Sequence, residues 1–325
     1  VLDLIIRGGE VIDGTKRARY RADVGIEGER IAQIGDLREA EAGQVIDATG
    51  KIVAPGFVDV HNHSDAWLLK TPHLVSKTIQ GFTTEVIMAD GISYAPLSPN
   101  NAHEWITYMR ALDALRFEEY TGWTSLAEYM AQLDRANVQN SIPHVAYANV
   151  RVLACGYGRA APDDYQMRQI VAEVEKGMEA GAVGVSTGMD YIAQWFASTT
   201  ELADACAPLV ASQGLYVTHM RYKRGTMAAL KEAVEIGRRA GVPVHISHLK
   251  GTSPEASAEI LDYIDTVAVN EVDFSFDVYP YLPGSTMLNY WLPYEVYEQG
   301  PLGVLAHLKR VDVRAQMGEN LRHVD

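Results

Sequence analysis

The chain has 325 residues, 47% of them hydrophobic, and 28 lysines and arginines against 42 aspartates and glutamates give it a net charge of −14. That length and apolar content are enough for one large buried core with a small appendage, while the acidic excess argues against nucleic acid or an anionic membrane as a partner. No apolar stretch reaches the roughly 18 residues a membrane span requires. Two cysteines, Cys155 and Cys206, lack metal-type spacing and point to a cytoplasmic protein with buried structural thiols.

In chain order, residues 2–7, 10–12, 22–26, 30–34 and 44–46 read as short strands, with Gly8-Gly9, Asp13-Gly14 and Glu27-Gly28 as the turns between them. A small β-sandwich over residues 1–54 is the expected product. After Pro55-Gly56 the pattern becomes strands alternating with helical stretches, which favours parallel βαβ units over residues 55–325. Seven strands are expected, at 56–61, 83–88, 144–149, 182–186, 215–219, 242–247 and 273–278. Helices are predicted between them, among them 163–180 and 226–240. A closed (β/α)₈ TIM-type barrel needs an eighth strand, which residues 279–325 do not supply convincingly. The insertion at 100–141 carries Trp105, Tyr108, Phe117, Tyr120, Trp123 and Tyr129, expected to form the core of a helical excursion.

The chemistry-bearing residues gather at predicted strand ends. His61 and His63 close the first barrel strand, and because i and i+2 share a strand face, both rings can address one cation. His219 and His248 end two further apolar segments, and catalytic residues of such barrels sit at the C-terminal ends of strands. His245, three residues before His248, falls on the opposite face and is expected in the packing around the strand. Asp90, after the second strand and before a glycine turn, is the best carboxylate. Neutral imidazoles with a carboxylate suit zinc, and a metal that acidifies water and polarises a carbonyl points to hydrolysis. Lys250 lies two residues beyond His248, and Arg221 two beyond His219, where it is equally a substrate contact or a structural salt bridge.

Pro-Gly-Phe-Val-Asp-Val-His-Asn-His at 55–63, after a small β-domain, resembles the amidohydrolase superfamily. The stretch at 81–97 with Gly184-Val-Ser-Thr-Gly188, Thr218-His-Met-Arg221, Ser247-His-Leu-Lys250 and Asp277-Val-Tyr-Pro-Tyr-Leu-Pro-Gly-Ser-Thr286 resembles, in order, the N-acyl-D-amino-acid deacylase family. The resemblance implies zinc-dependent hydrolysis of the acyl amide of a small N-acyl-D-amino acid. One metal position would be held by His61 and His63, the other by His219, His248 and the residue at position 90, with one or two ions bound. The family usually places a cysteine at that position, where this chain has Asp90, so an oxygen replaces a soft thiolate. Lys250, Tyr279 and Ser285 are implied to bind the substrate's α-carboxylate. The family's general-base aspartate, on the eighth strand, is expected beyond residue 325, on a further segment or a second chain. A cyclic-amide hydrolase of the dihydroorotase or hydantoinase kind is the alternative enzyme, weakened because residues 182–188 lack a lysine to bridge metals. A non-catalytic barrel scaffold is the alternative from another class.

Overall fold

The structure, a computed structural model, describes residues 1–321. They divide into two compact units, Val1–Phe57 and Val58–Asp325, and Asp325 itself lies outside the described residues.

The first unit is one mixed sheet of five strands: β1 (Leu2–Val11), β2 (Tyr20–Glu27), β3 (Arg30–Gly35), β4 (Ala42–Asp47) and β5 (Ile52–Val53), with β1 central. The two strands expected at 2–7 and 10–12 are one. Gly8, at φ 77°, makes a bulge between Ile6 and Gly9 instead of a turn, because a glycine pair can absorb an extra residue without ending the ladder. Asp23 fastens the bulge, accepting from Gly8 N at 2.7 Å and from Leu37 N at 2.9 Å. Part of a small sandwich was the expectation for residues 1–54. Residues 1–57 supply a single sheet, packed around Leu2, Ile5 and Leu37, while Ile31, Ile34, Val45, Ile46 and Ile52 remain exposed.

The second unit is α/β. Its strands are β6 (Phe57–Asp59), β7 (Phe82–Ile87), β8 (Asn140–Pro143), β9 (Val145–Ala146), β10 (Gly184–Gly188), β11 (Leu215–His219), β12 (Val244–Ile246) and β13 (Phe274–Phe276). They form two sheets, β6-β7-β8 and β13-β12-β11-β10-β9, whose third barrel position is shared by β8 and β9 across His144. The pairs β7–β8, β9–β10, β10–β11, β11–β12 and β12–β13 are parallel, as alternation with helices requires. Seven strand positions are thus present, and the described residues do not close them into a ring.

The strand expected at 144–149 is misplaced: Tyr147–Cys155 is a helix. Its first six residues, Tyr147 to Val152, are all buried, and a short apolar run reads alike as buried strand or buried helix. Other elements follow local signals. Helix Asp164–Glu179 starts at a reciprocal cap, in which Asp163 Oδ1 accepts from Gln166 N at 2.8 Å and Gln166 Oε1 accepts from Asp163 N at 3.0 Å. Helix Thr226–Ala240 stops at Gly241, φ 73°. In the aromatic insertion, helices Ala102–Asp113 and Leu126–Leu133 bury Trp105, Tyr108 and Tyr129, while Phe117 stays exposed. No described helix is long and apolar enough to cross a membrane.

Two buried acids meet where the helix Asp65–Lys70 begins. Asp65 accepts from Ser93 Oγ at 2.5 Å, and Asp113 accepts from Ala66 N at 2.5 Å. Burial, then repulsion from Asp65, pushes the Asp113 carboxyl up to about 9. A carboxyl whose folded pKa exceeds its unfolded value stabilises the fold fully below about pH 4, and the contribution drains away as pH rises toward 9. Thermal melts of the wild type should therefore fall between pH 5 and pH 8, and Asp113→Asn should flatten that slope; parallel slopes would contradict it.

Candidate metal centre and active site

β7 ends at Ile87, and the chain then doubles back through Ala89–Gly91 because Met88 and Asp90 take left-handed conformations, φ 66° and 57°. Non-glycine residues rarely do so, and such strain gathers at functional sites. Two glycines make the turn possible. A Cβ on Gly91 would lie 2.7 Å from the Ser186 carbonyl oxygen, and one on Gly188 would lie 2.3 Å from that of Asp90. Gln194 Nε2 donates to the Asp90 carbonyl at 3.0 Å and Gly91 N to Ser186 Oγ at 3.2 Å, so the turn is tied to the end of β10.

Imidazoles from three other segments surround the Asp90 carboxylate. β6 stops at Asp59, so strand alternation does not aim His61 and His63 as expected; a turn does. His61 N donates to Asp59 Oδ1 at 3.2 Å, Ser64 N to Asn62 Oδ1 at 3.1 Å, and Asn62 Nδ2 to Val86 O at 3.1 Å. His219 is the last residue of β11. His248, two residues past β12, sits at φ 41° with its N–H donating to Asp277 Oδ1 at 2.7 Å.

Asp90 Oδ1 lies 3.8 Å from His61 Nε2 and 3.8 Å from His248 Nε2, and Oδ2 lies 3.3 Å from His63 Nε2 and 3.8 Å from His219 Nδ1. His219 Nδ1 and His248 Nε2 are 3.0 Å apart. Around a tetrahedral zinc with bonds of about 2.0 to 2.2 Å, neighbouring ligand atoms stand roughly 3.3 to 3.5 Å apart, and these separations, 3.0 to 3.8 Å, bracket that spacing. Two triads qualify, His61, His63 and Asp90, and Asp90, His219 and His248. Asp90 Oδ1 is buried without a hydrogen-bond partner, the state expected of an atom whose partner is a cation.

The electrostatics of Asp90, His61 and His219 agree with the donor role, whereas at His63 burial is outweighed by interaction with the Asp90 carboxylate, which raises the pKa. Burial alone would raise the Asp90 pKa, but attraction to His61 and interactions with His248, His63 and His219 outweigh it and hold the carboxyl well below the usual range. Burial lowers the pKa of His61 and of His219, favouring the neutral imidazole that a metal needs.

Residues 44–272 match the amidohydrolase family model. The chain belongs to the amidohydrolase family. It is 38% identical to the D-aminoacylase of Alcaligenes xylosoxydans xylosoxydans, over 88% of this chain and 59% of that protein. To the N-acyl-D-glutamate deacylase of the same organism it is 40% identical, over 88% of this chain and 58% of that one. The crystal structure of N-acyl-D-glutamate deacylase from Bordetella bronchiseptica, complexed with zinc and a phosphonate mimic of the tetrahedral intermediate, superposes with a TM-score of 0.79 at 36% identity, covering 91% of this chain and 61% of that one. The chain therefore spans about three fifths of the length of these relatives.

Around this amidohydrolase's histidine cluster the remaining expected residues divide. Lys250 Nζ lies 5.0 Å from the Tyr222 ring and 5.9 Å from the Tyr279 ring, and Tyr279 stands 6.4 Å from His248, so both reach the cluster's edge. Ser285 is exposed in a stretch without regular structure. Arg221 is turned away from the cluster. It is buried, its Nε donates to Glu232 Oε2 at 3.0 Å, and its terminal nitrogens serve the carbonyls of Trp195 and Ala197 and Glu232 Oε1. A guanidinium with its donors so engaged holds loops together, in line with the structural salt bridge that stood level with a substrate contact in the sequence. His245 is also more than packing, since its ring nitrogens meet Ser275 Oγ at 2.8 Å and Asp277 Oδ2 at 2.9 Å.

Three residues went unassigned in the sequence. Asp190 meets His219 Nε2 at 3.3 Å, Asp277 Oδ2 lies 3.9 Å from His61 Nδ1, and Tyr191 Oη is 3.5 Å from Asp90 Oδ2. Asp190 follows β10 by two residues and Asp277 follows β13 directly, the same signal that singled out Asp90.

Because Gly91 is both left-handed and crowded, Gly91→Ala should destabilise the protein by about 2 kcal/mol or more. Chemical denaturation checks this, and an unchanged midpoint would show that the turn is not constrained as described.

Proposed function

We propose that this amidohydrolase cleaves the acyl amide of N-acyl-D-amino acids, giving a carboxylate and a free D-amino acid. The observation that carries the reading is one buried carboxylate surrounded by four imidazoles at ligand spacing, in a chain 38% and 40% identical to two deacylases of such substrates. Zinc fits the donor set, with Asp90, His219 and His248 forming one position and His61, His63 and Asp90 a second. Bound there, zinc would lower the pKa of water and polarise the acyl carbonyl.

The chain's own residues orient and exclude. Lys250 and Tyr279, at the cluster's edge, are assigned to the substrate's α-carboxylate, with Ser285 as a third donor; an ammonium and two hydroxyls can satisfy several carboxylate lone pairs. Tyr191 and Tyr222, packed against His219 at ring separations of 5.0 and 5.2 Å, shield it from water. The group that passes a proton to the leaving amine is assigned to an aspartate on an eighth strand, from a segment or second chain outside these residues. β6 and β13 stand at the ends of their sheets' strand orders, where such a strand would complete a (β/α)₈ barrel. The two unbridged thiols suit a cytoplasmic setting.

The cyclic-amide alternative has less support, since β10, Gly184–Gly188, offers no lysine to bridge two metals. Purified zinc-loaded full-length protein should release free amino acid from N-acetyl-D-amino acids, including N-acetyl-D-glutamate, and leave the L-isomers intact. His219→Ala should reduce that rate by about a thousandfold. Turnover of dihydroorotate alone would overturn the assignment, and a protein that holds no zinc and turns over neither class would favour the scaffold.

A further inference from the structure

We infer that Asp190 is a positioning residue for the metal centre, fixing which nitrogen of His219 faces the ion and coupling that choice to the segment after β13. The inference rests on the metal-site reading above.

Asp190 follows β10 by two residues and its side chain is fully buried. A buried carboxylate persists only if its lone pairs are satisfied, and here its neighbours are donors. Lys223 N donates to Oδ1 and Oδ2, both at 3.3 Å, and Tyr290 Oη donates to Oδ2 at 3.0 Å. A backbone N–H and a tyrosine hydroxyl approaching together leave Asp190 as the acceptor, so at 3.3 Å His219 Nε2 must carry the hydrogen. Neutral imidazole has one N–H. Its other nitrogen, Nδ1, then presents a lone pair, and Nδ1 is the atom that faces His248 Nε2 at 3.0 Å and Asp90 Oδ2 at 3.8 Å. Asp190 thus selects the tautomer that can bind metal and makes the ligand nitrogen more basic, as a carboxylate behind a ligating histidine does.

The same carboxylate ties a distant segment to that ring. Besides Tyr290, Tyr294 Oη donates to the Asp190 carbonyl at 2.9 Å, and Lys223 Nζ donates to Tyr290 O at 2.8 Å while lying 3.9 Å from the Tyr290 ring and 4.7 Å from that of Tyr294. Tyr290 also stands 5.5 Å from Tyr191 and 6.3 Å from His219. Residues 288–297 therefore reach the metal ligand through Asp190 Oδ2, beside the direct packing of the Tyr290 ring.

The test is zinc affinity by chelator competition, with the visible spectrum of the cobalt-substituted protein as a second readout. Asp190→Asn keeps an acceptor but loses the charge, and should weaken zinc binding about tenfold; Asp190→Ala should weaken it by up to about a hundredfold. Both should shift the cobalt bands. Tyr290→Phe, which removes one donor to Oδ2 and spares the carboxylate, should give a smaller loss of a few fold and covers the case in which the Asp190 variants do not fold. Glu201→Gln, a buried carboxylate bonded instead to Arg151 and Tyr147, controls for loss of buried charge and should leave affinity and spectrum unchanged. Wild-type affinity and spectrum in the Asp190 variants, or in Tyr290→Phe if those do not fold, would overturn the inference while leaving the metal site standing. Failure of the wild type to bind zinc or cobalt would overturn the metal site itself, and the inference with it.

Discussion

The whole site hangs on the Asp90 carboxylate, a charge held out of water without enough hydrogen-bond donors. Removing a carboxylate from water costs several kcal/mol unless something of opposite sign returns it. Asp90 has four imidazoles within 3.8 Å, yet Oδ1 keeps no hydrogen-bond partner. The backbone is bent to put it there, since Met88, Asp90 and His248 all occupy left-handed conformations and Gly91 and Gly188 have no space for a Cβ. A fold that accepts strain and an under-satisfied charge in one place stores both for a use that folding alone does not explain.

From that carboxylate outward, the His219/His248 side is gripped from behind. His219 Nε2 is met by Asp190 and His248 N by Asp277, while Tyr222 Oη lies 3.4 Å from His248 Nδ1. Asp277 also receives His245, so one residue past β13 steadies two histidines on the segment before it. Each of these supports comes from the C-terminal end of a neighbouring strand, which is how a parallel α/β layout turns residues far apart in sequence into one constellation.

Much of this was legible because it rests on local patterns. Alternating strands and helices announced the α/β unit, and Leu215–His219 and Thr226–Ala240 fall where periodicity put them. The four histidine donors stand out because histidine at the end of an apolar run has little structural reason to recur. What stayed hidden depends on direction. Arg221 is two residues from a ligand, but only coordinates show its guanidinium engaged by Glu232 and two carbonyls. Asp190 and Asp277 looked like ordinary residues after strands, and their value comes from partners 29 residues or more away. The helix at Tyr147–Cys155 was read as strand because burial on every side erases the period that tells the two apart. Gly8-Gly9 was read as a turn because the sequence cannot say whether a glycine pair reverses the chain or bulges it.

Aspartate at position 90, where the resemblance to the deacylase family implies a cysteine, changes more than the softness of one ligand. A thiolate offers one donor atom, whereas a carboxylate offers two. In this chain each oxygen faces one histidine from the 61/63 pair and one from the 219/248 pair, His61 and His248 at Oδ1, His63 and His219 at Oδ2. The group is therefore symmetric toward the two triads, so neither is favoured by the ligand they share. The difference between them must come from what lies behind the other donors. The His219/His248 side is the more firmly held, with Asp190 on one ring and Asp277 on the backbone of the other, while His61 meets Asp277 only at 3.9 Å and keeps a buried Nδ1 without a partner. Oxygen and nitrogen donors without sulfur also relax the preference for thiophilic metals, so geometry and support from behind the ligands take over the selectivity that a thiolate would have supplied.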